Sequence, residues 1–125
     1  MGLPPLTSTE LGRFESALGS GLPESLQALL REPPPELAAV LPRARWVLPE
    51  QVRRIRRDLG THAWIPFLID PQPSHEDYYC LDQSTGGARV VVFAVHTTVA
   101  EWPTLAAWLE RVKRRDRQES NARRQ

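Results

Sequence analysis

Residues 63–96, AWIPFLIDPQPSHEDYYCLDQSTGGARVVVFAVH, decide the fold class of this 125-residue chain. Two turn-forming stretches rich in Pro, Ser and Gly divide this region and predict an antiparallel meander. Pro66 predicts that the first strand lies at a sheet edge or carries a bulge. The apolar run Val90–Val95 predicts an interior strand covered on both faces. Abundant β-branched and aromatic residues predict strands over Ala63–Asp70, Tyr78–Asp82 and Arg89–His96.

Helical patterns flank the meander on both sides. Thr7 and Glu10 have the spacing of a capping box, which predicts the start of the first helix. Apolar stripes predict two more helices, one following Pro23 and one from Pro49, whereas residues 37–46 fit either a short helix or an irregular segment. After the meander, a stripe at helical spacing predicts a closing helix with Pro103 in its first turn: Leu105, Trp108, Leu109 and Val112.

This order predicts an α+β fold with N-terminal helices, a short antiparallel β-meander and a C-terminal helix packed on the sheet. A chain of 125 residues with 41% hydrophobic residues suits a single domain. We expect residues 1–116 to form that domain. Residues 117–125 are polar and charged, and we expect them to form a flexible tail.

Composition excludes several classes of protein. The net charge of +1 gives no strong overall attraction to nucleic acid or to a membrane surface. Cys80 is the single cysteine, so an internal disulfide and a Cys-rich zinc site are excluded. The first residues lack the features of a signal peptide, and the longest apolar run is too short to cross a bilayer. We therefore expect a soluble, cytoplasmic protein that does not enter membranes.

No pattern typical of a catalytic centre appears. His62, His75 and His96 lie far apart, and none has a metal-binding partner at a characteristic spacing. The chain has no phosphate-binding loop and no nucleophile elbow. Cys80 lies in the middle of a predicted strand, which favours a buried, inert thiol over a nucleophile. We expect no enzymatic activity, no metal and no cofactor.

Charge is divided unevenly along the chain. Residues 58–88 contain no Lys or Arg, although they contain five acidic residues. One interpretation is that turns favour Asp and Glu; the other is an acidic surface that attracts a basic partner. A tyrosine would anchor such a surface, and alternation along a strand allows only one of Tyr78 and Tyr79 to face outward. The candidate interface residues are Asp70, Glu76, Asp77, Tyr78, Asp82 and Trp46.

Four arginines lie close together in the predicted third helix. Arg53, Arg54, Arg56 and Arg57 could neutralise several phosphates, so direct nucleic-acid binding is an alternative function. No recognition motif for DNA or RNA accompanies them, and a charged helix face is usually a solvated one. The sequence therefore favours a protein partner over nucleic acid.

Several stretches resemble the SUKH superfamily, which contains fungal cell-wall-assembly regulators of the Smi/Knr type and many bacterial immunity proteins. Glu15 and the Leu22-Pro23 step match the glutamate and the Leu-Pro step of the family's opening helical region. The similar stretches are Glu10–Leu30, Trp64–Asp70, Tyr78–Asp82 and Arg89–Val112.

The resemblance implies a non-enzymatic domain that binds another protein. Bacterial members are similar to antidotes, which implies an immunity protein that neutralises a partner toxin by stoichiometric masking. A basic, nuclease-type toxin would complement the acidic region. The fungal members imply an alternative, a regulatory or scaffolding adaptor that binds a housekeeping protein. The sequence indicates no oligomeric state.

Overall fold

The computed structural model describes residues 3–84 and 89–124. The described residues form an antiparallel five-stranded sheet, with α5 packed against it, so the predicted α+β fold is confirmed. In chain order the elements are α1 (Ser8–Leu18), α2 (Glu24–Arg31), α3 (Pro35–Val40), β1 (Arg45–Trp46), α4 (Pro49–Leu59), β2 (Trp64–Pro71), β3 (Glu76–Asp82), β4 (Arg89–Ala94), β5 (Thr97–Trp102) and α5 (Leu105–Arg124).

The helix boundaries follow local chemistry. The Thr7 hydroxyl accepts the Glu10 backbone N–H at 3.2 Å, and the Glu10 carboxylate accepts the Thr7 N–H at 3.0 Å. This capping box begins α1 as predicted. Gly19 and Gly60 end α1 and α4 with φ values of 79° and 75°, in the left-handed region that favours glycine. The ambiguous segment 37–46 contains most of α3, followed by β1.

The sheet is a meander in which each strand pairs with its neighbours in sequence, in the order β1-β2-β3-β4-β5. The bulge predicted from Pro66 is present, because the pairing of β2 with β3 shifts between Pro66 and Leu68. β2 is not an edge strand, since the short β1 pairs with it at Leu68 and Ile69. β4 lies between β3 and β5, which confirms its predicted interior position.

The sequence analysis missed β5. The predicted third strand ran to His96, whereas β4 ends at Ala94 and the chain turns at Val95 and His96, with φ values of 49° and 68°. Tight hairpin turns with two positive φ values usually contain Asn or Gly, so the Val-His pair conceals the turn. Pro103 consequently lies before α5, and the Thr104 hydroxyl caps that helix by accepting the Ala107 N–H at 3.0 Å.

α5 continues beyond the predicted domain boundary at residue 116 and ends at Arg124. Residues 105–124 contain neither Gly nor Pro, and the ion pair between Arg115 and Glu119 (3.1 Å) joins successive turns. The flexibility of residues 117–125 stays a prediction, and residue 125 lies outside the described residues.

Aromatic contacts lie on both faces of the sheet. The Trp108 ring of α5 packs against Phe67 and Tyr79, with centroid distances of 5.7 and 5.5 Å. On the opposite face the rings of Trp64 in β2 and Phe93 in β4 have centroids 6.0 Å apart, across the intervening strand β3 that contains Cys80. Cys80 is fully buried, as predicted. Burial raises the pKa of its thiol.

Candidate functional site

Four of the predicted interface residues lie together at one end of the β2–β3 hairpin. We call residues 70–78 the hairpin tip; it comprises the end of β2, the connecting turn and the start of β3. The Gln72 N–H donates to the His75 carbonyl at 2.7 Å and closes the turn. The predicted residues in the hairpin tip are Asp70, Glu76, Asp77 and Tyr78, all of them half-buried.

Trp46 and Asp82 are corrections to the predicted interface, because both side chains are buried. Trp46 is 5% exposed, and its indole N–H donates to the Pro4 carbonyl at 2.7 Å. Asp82 is 0% exposed. One of its carboxylate oxygens accepts the Ser84 N–H (2.8 Å) and hydroxyl (2.6 Å), and the other accepts Arg89 Nε (2.7 Å). Asp82 has no accessible surface, and the small accessible part of Trp46 borders a separate cleft, which Leu6 and Phe14 also line, away from the hairpin tip.

The Asp82 carboxylate is held in its charged form. Burial alone would raise its pKa, but hydrogen bonds from Ser84 and Arg89 outweigh burial and lower the pKa. Arg89 lies directly opposite Asp82 in the β3–β4 pairing and also contacts Glu101 of β5. This group of charges therefore ties three strands together.

On one face of the hairpin tip, Glu76 and Tyr78 lie side by side. The Tyr78 hydroxyl donates to Glu76 Oε1 at 3.3 Å, and Arg45 of β1 forms an ion pair with Glu76 Oε2 at 2.8 Å. Tyr79 points to the opposite face and is 9% exposed against Trp108. The two tyrosines therefore lie on opposite faces, as predicted from strand alternation, and Tyr78 is the more exposed of the two, although it is half-buried against the edge of the core.

On the other face, Asp70 and Asp77 lie directly opposite each other across β2 and β3. Asp70 accepts a hydrogen bond from Gln72 Nε2 at 3.0 Å, and Asp77 Oδ1 lies 3.0 Å from His75 Nε2. Among the described residues, no Lys or Arg forms an ion pair with either carboxylate. Burial, and then the neighbouring Asp77, raise the pKa of Asp70.

A cleft opens beside this aspartate pair, between the hairpin tip, the end of α3 and α5. Its volume is about 380 Å³, and an adjoining cleft of about 210 Å³ shares Val40, Leu41, Tyr79 and Arg115 with it. Both clefts are lined by the Tyr79 ring. The larger cleft is lined by Val40, Leu41, Pro42, Arg43, Asp70, Pro71, Gln72, Asp77, Tyr79 and Arg115.

The arginine cluster of α4 presents less charge to solvent than its sequence indicates. Arg56 is half-buried and donates to the Leu18 carbonyl at 3.0 Å and to the Trp64 carbonyl at 3.3 Å. It therefore links α4 to the end of α1 and to β2. Arg53, Arg54 and Arg57 remain exposed.

Within residues 3–84 and 89–124, no group of three or more His, Cys, Asp or Glu side chains could hold a metal ion. In the same part of the chain, no helix is both long enough and apolar enough to cross a membrane. Comparison with protein-family models, with curated proteins and with solved structures returned no match.

Proposed function

We propose that this chain is a non-enzymatic, protein-binding domain of the immunity type, which neutralises a basic partner toxin by stoichiometric masking. The proposal joins the SUKH resemblance to one structural observation. Asp70 and Asp77 are two half-buried carboxylates that face each other without an ion pair to Lys or Arg among the described residues.

Two opposed carboxylates destabilise a strand pair by about 0.2–1 kcal/mol. A cation supplied by a partner would remove that cost, so the bound state recovers free energy that the free protein lacks. The charge would also speed the encounter with a basic surface and reject acidic ones. Tyr78, on the opposite face of the same hairpin tip, offers the aromatic anchor that interfaces favour.

A tagged full-length chain, used to capture proteins from the native lysate at low and at moderate salt, tests this function. We expect one basic protein, bound in stoichiometric amount, whose activity is lost in the complex and returns when the complex is separated. Capture of housekeeping proteins without inhibition would replace the proposal with a scaffolding adaptor. Nucleic acid that elutes with salt would point instead to the exposed arginines of α4.

A charge-reversal pair tests the surface. In Glu76→Lys/Asp77→Lys, two acidic groups of the hairpin tip become basic, and we expect partner affinity to fall at least tenfold with a weaker dependence on salt. The matched control is Glu32→Lys/Glu110→Lys, which makes the same change in charge at exposed sites elsewhere. If both pairs of substitutions weaken binding equally, the hairpin tip is not the contact surface.

A further inference from the structure

The hydroxyl of Tyr79 has no hydrogen-bond partner among the described residues, although the side chain is only 9% exposed. Among the described side chains no N or O atom is both fully buried and without a partner, so this hydroxyl reaches solvent and can bond to water or to a ligand. Tyr79 lines both adjoining clefts, so the space beside it is open to a ligand. Burial, together with Asp70 and Asp77, raises the pKa of Tyr79 to about 12, so the hydroxyl is neutral at pH 7.

The groups around this space have spare capacity to accept hydrogen bonds. Asp77 and Tyr79 lie two residues apart on one face of β3, and Asp70 is opposite Asp77. A carboxylate offers about four lone-pair sites. Asp70 uses one on Gln72, and Asp77 uses one on His75. Three acceptor groups therefore border the cleft, and neither Arg43 nor Arg115, which also line it, forms an ion pair with its carboxylates in the described part of the chain.

We infer that this cleft is a binding site for a guanidinium group, the end of an arginine side chain. The planar guanidinium carries five N–H donors in a rigid fork, which suits two carboxylates and a hydroxyl. Val40 and Leu41 line the same cleft and provide an apolar surface for the methylene stem. An ammonium group is a compact point charge that reaches fewer of these acceptors at once.

Two arginines of the chain border the cleft and oppose a cationic ligand. Arg43 is exposed, and the Arg115 side chain is 52% exposed and paired with Glu119 at 3.1 Å. Both lower the pKa of Asp70, but neither forms an ion pair with a carboxylate of the cleft. Removing the charge of Arg115 should therefore tighten the binding of a guanidinium, an effect that no purely structural role for the cleft predicts.

The source of the arginine rests on the proposed function, in which a basic partner supplies it, but the site itself can be tested without the partner. Backbone amide NMR of the full chain is followed while N-acetyl-arginine amide is added. N-acetyl-citrulline amide, which replaces the guanidinium with a neutral urea, is the matched control. We expect saturable shifts around residues 40–43 and 70–79, with a Kd of about 1–10 mM for the arginine compound only.

Variants locate the site. We expect Asp70→Asn/Asp77→Asn to weaken binding at least tenfold, Tyr79→Phe to weaken it about threefold, and Arg115→Gln to tighten it about twofold. Asp58→Asn, at an exposed position on α4, should change nothing. N-acetyl-lysine amide is a second control. If it or the citrulline compound bound as tightly as the arginine compound, or if Asp70→Asn/Asp77→Asn kept full affinity, the guanidinium site would be overturned.

The two proposals fail separately. In one outcome the arginine compound does not bind, but a basic toxin is captured and its binding is lost when Glu76 and Asp77 are changed to Lys. The guanidinium site is then wrong and the proposed function stands. If the arginine compound binds as expected but no basic partner is inhibited, the site stands and the immunity function is wrong.

Discussion

The two ends of β3 each carry an aspartate, and the structure treats the two residues in opposite ways. Asp82 is fully buried and lies opposite Arg89, which donates to it at 2.7 Å. Asp77 is half-buried and lies opposite another carboxylate, that of Asp70. The role of an acid in a sheet thus depends on what the neighbouring strand places opposite it. One end of β3 holds the sheet together, and the other places two carboxylates opposite each other without an ion pair to Lys or Arg among the described residues.

The same contrast applies to the whole acidic segment, residues 58–88. Residues 58–88 contain no Lys or Arg, yet arginines from outside that segment reach into it. Arg45 of β1 neutralises Glu76, and Arg89 of β4 neutralises Asp82. In the described part of the segment's hairpin, Asp70 and Asp77 are the carboxylates without an ion pair to Lys or Arg. A stretch of acidic sequence is therefore a poor guide to the acidity of the folded surface.

The largest expected effect concerns the buried end of β3. Asp82→Ala removes the acceptor for Arg89 and for both Ser84 groups, and we expect it to cost about 2–3 kcal/mol of unfolding free energy. Urea denaturation measures this loss. Asp77→Ala is the matched change at the other end and should lie within about 0.5 kcal/mol of wild type. Similar losses for both variants would remove the distinction between the two ends.

The next prediction is that the two ends respond to acid with opposite signs. The folded-state pKa of Asp82 is lowered, so its stabilising contribution exists above its unfolded pKa of about 3.9 and is lost as the pH falls through its folded value. The folded-state pKa of Asp70 is raised, so its contribution exists below the unfolded pKa and is lost as the pH rises through the folded value.

Unfolding free energies measured between about pH 2 and pH 7 test these signs. Asp82→Asn should remove part of the loss of stability seen in acid. Asp70→Asn should remove a loss seen as the pH rises toward neutrality, so the two difference curves against wild type slope in opposite directions. Difference curves that slope in the same direction would contradict the lowered pKa of Asp82 or the raised pKa of Asp70.

A smaller effect is expected at the hairpin-tip end of β3. Asp70→Asn removes one of two opposed charges, and at pH 7 it should stabilise the protein by about 0.5 kcal/mol. Thermal or urea unfolding measures the gain. A clear loss of stability instead would mean that the Asp70 charge supports the fold, as that of Asp82 does.

The smallest effect is expected for Glu76→Gln. Its ion pair with Arg45 is partly exposed, with side chains that are 31% and 48% accessible, and such pairs contribute about 0–1 kcal/mol. We expect a loss of less than about 0.5 kcal/mol, shrinking further in 1 M salt. A loss of unfolding free energy as large as that of Asp82→Ala would mean that Glu76 supports the fold as Asp82 does.

Features were predicted correctly where all the residues that determine them lie within one short stretch of sequence. The capping box of Thr7 and Glu10, the bulge at Pro66 and the alternation of Tyr78 and Tyr79 need only neighbouring residues, and all three are present. β5 was missed because Val95 and His96 adopt positive φ values that their residue types do not favour. Both residues are exposed, so the pairing of β4 with β5, and not burial, accompanies the unfavoured backbone there.

Long-range pairing decided what the chain presents for binding. The sequence made Trp46 a candidate interface residue, yet the Pro4 carbonyl, 42 residues earlier, accepts its indole N–H. Asp82 lies in the acidic segment, but the β3–β4 register places Arg89 opposite it, and Arg89 pairs with its charge. Arg115 of α5, the Asp70–Asp77 pair and Tyr79 come together only at the cleft.

By itself, the sequence determined the α+β class, the order of the main helices and strands, and the placement of Tyr78 and Tyr79 on opposite faces. Those features follow from the periodicity of apolar residues and from the stereochemistry of Pro and Gly, which act over a few residues. The tertiary structure alone decided which acids are neutralised, which are buried and which border a cleft. Ion pairing and desolvation depend on distances between segments far apart in the chain, and local pattern contains no record of those distances.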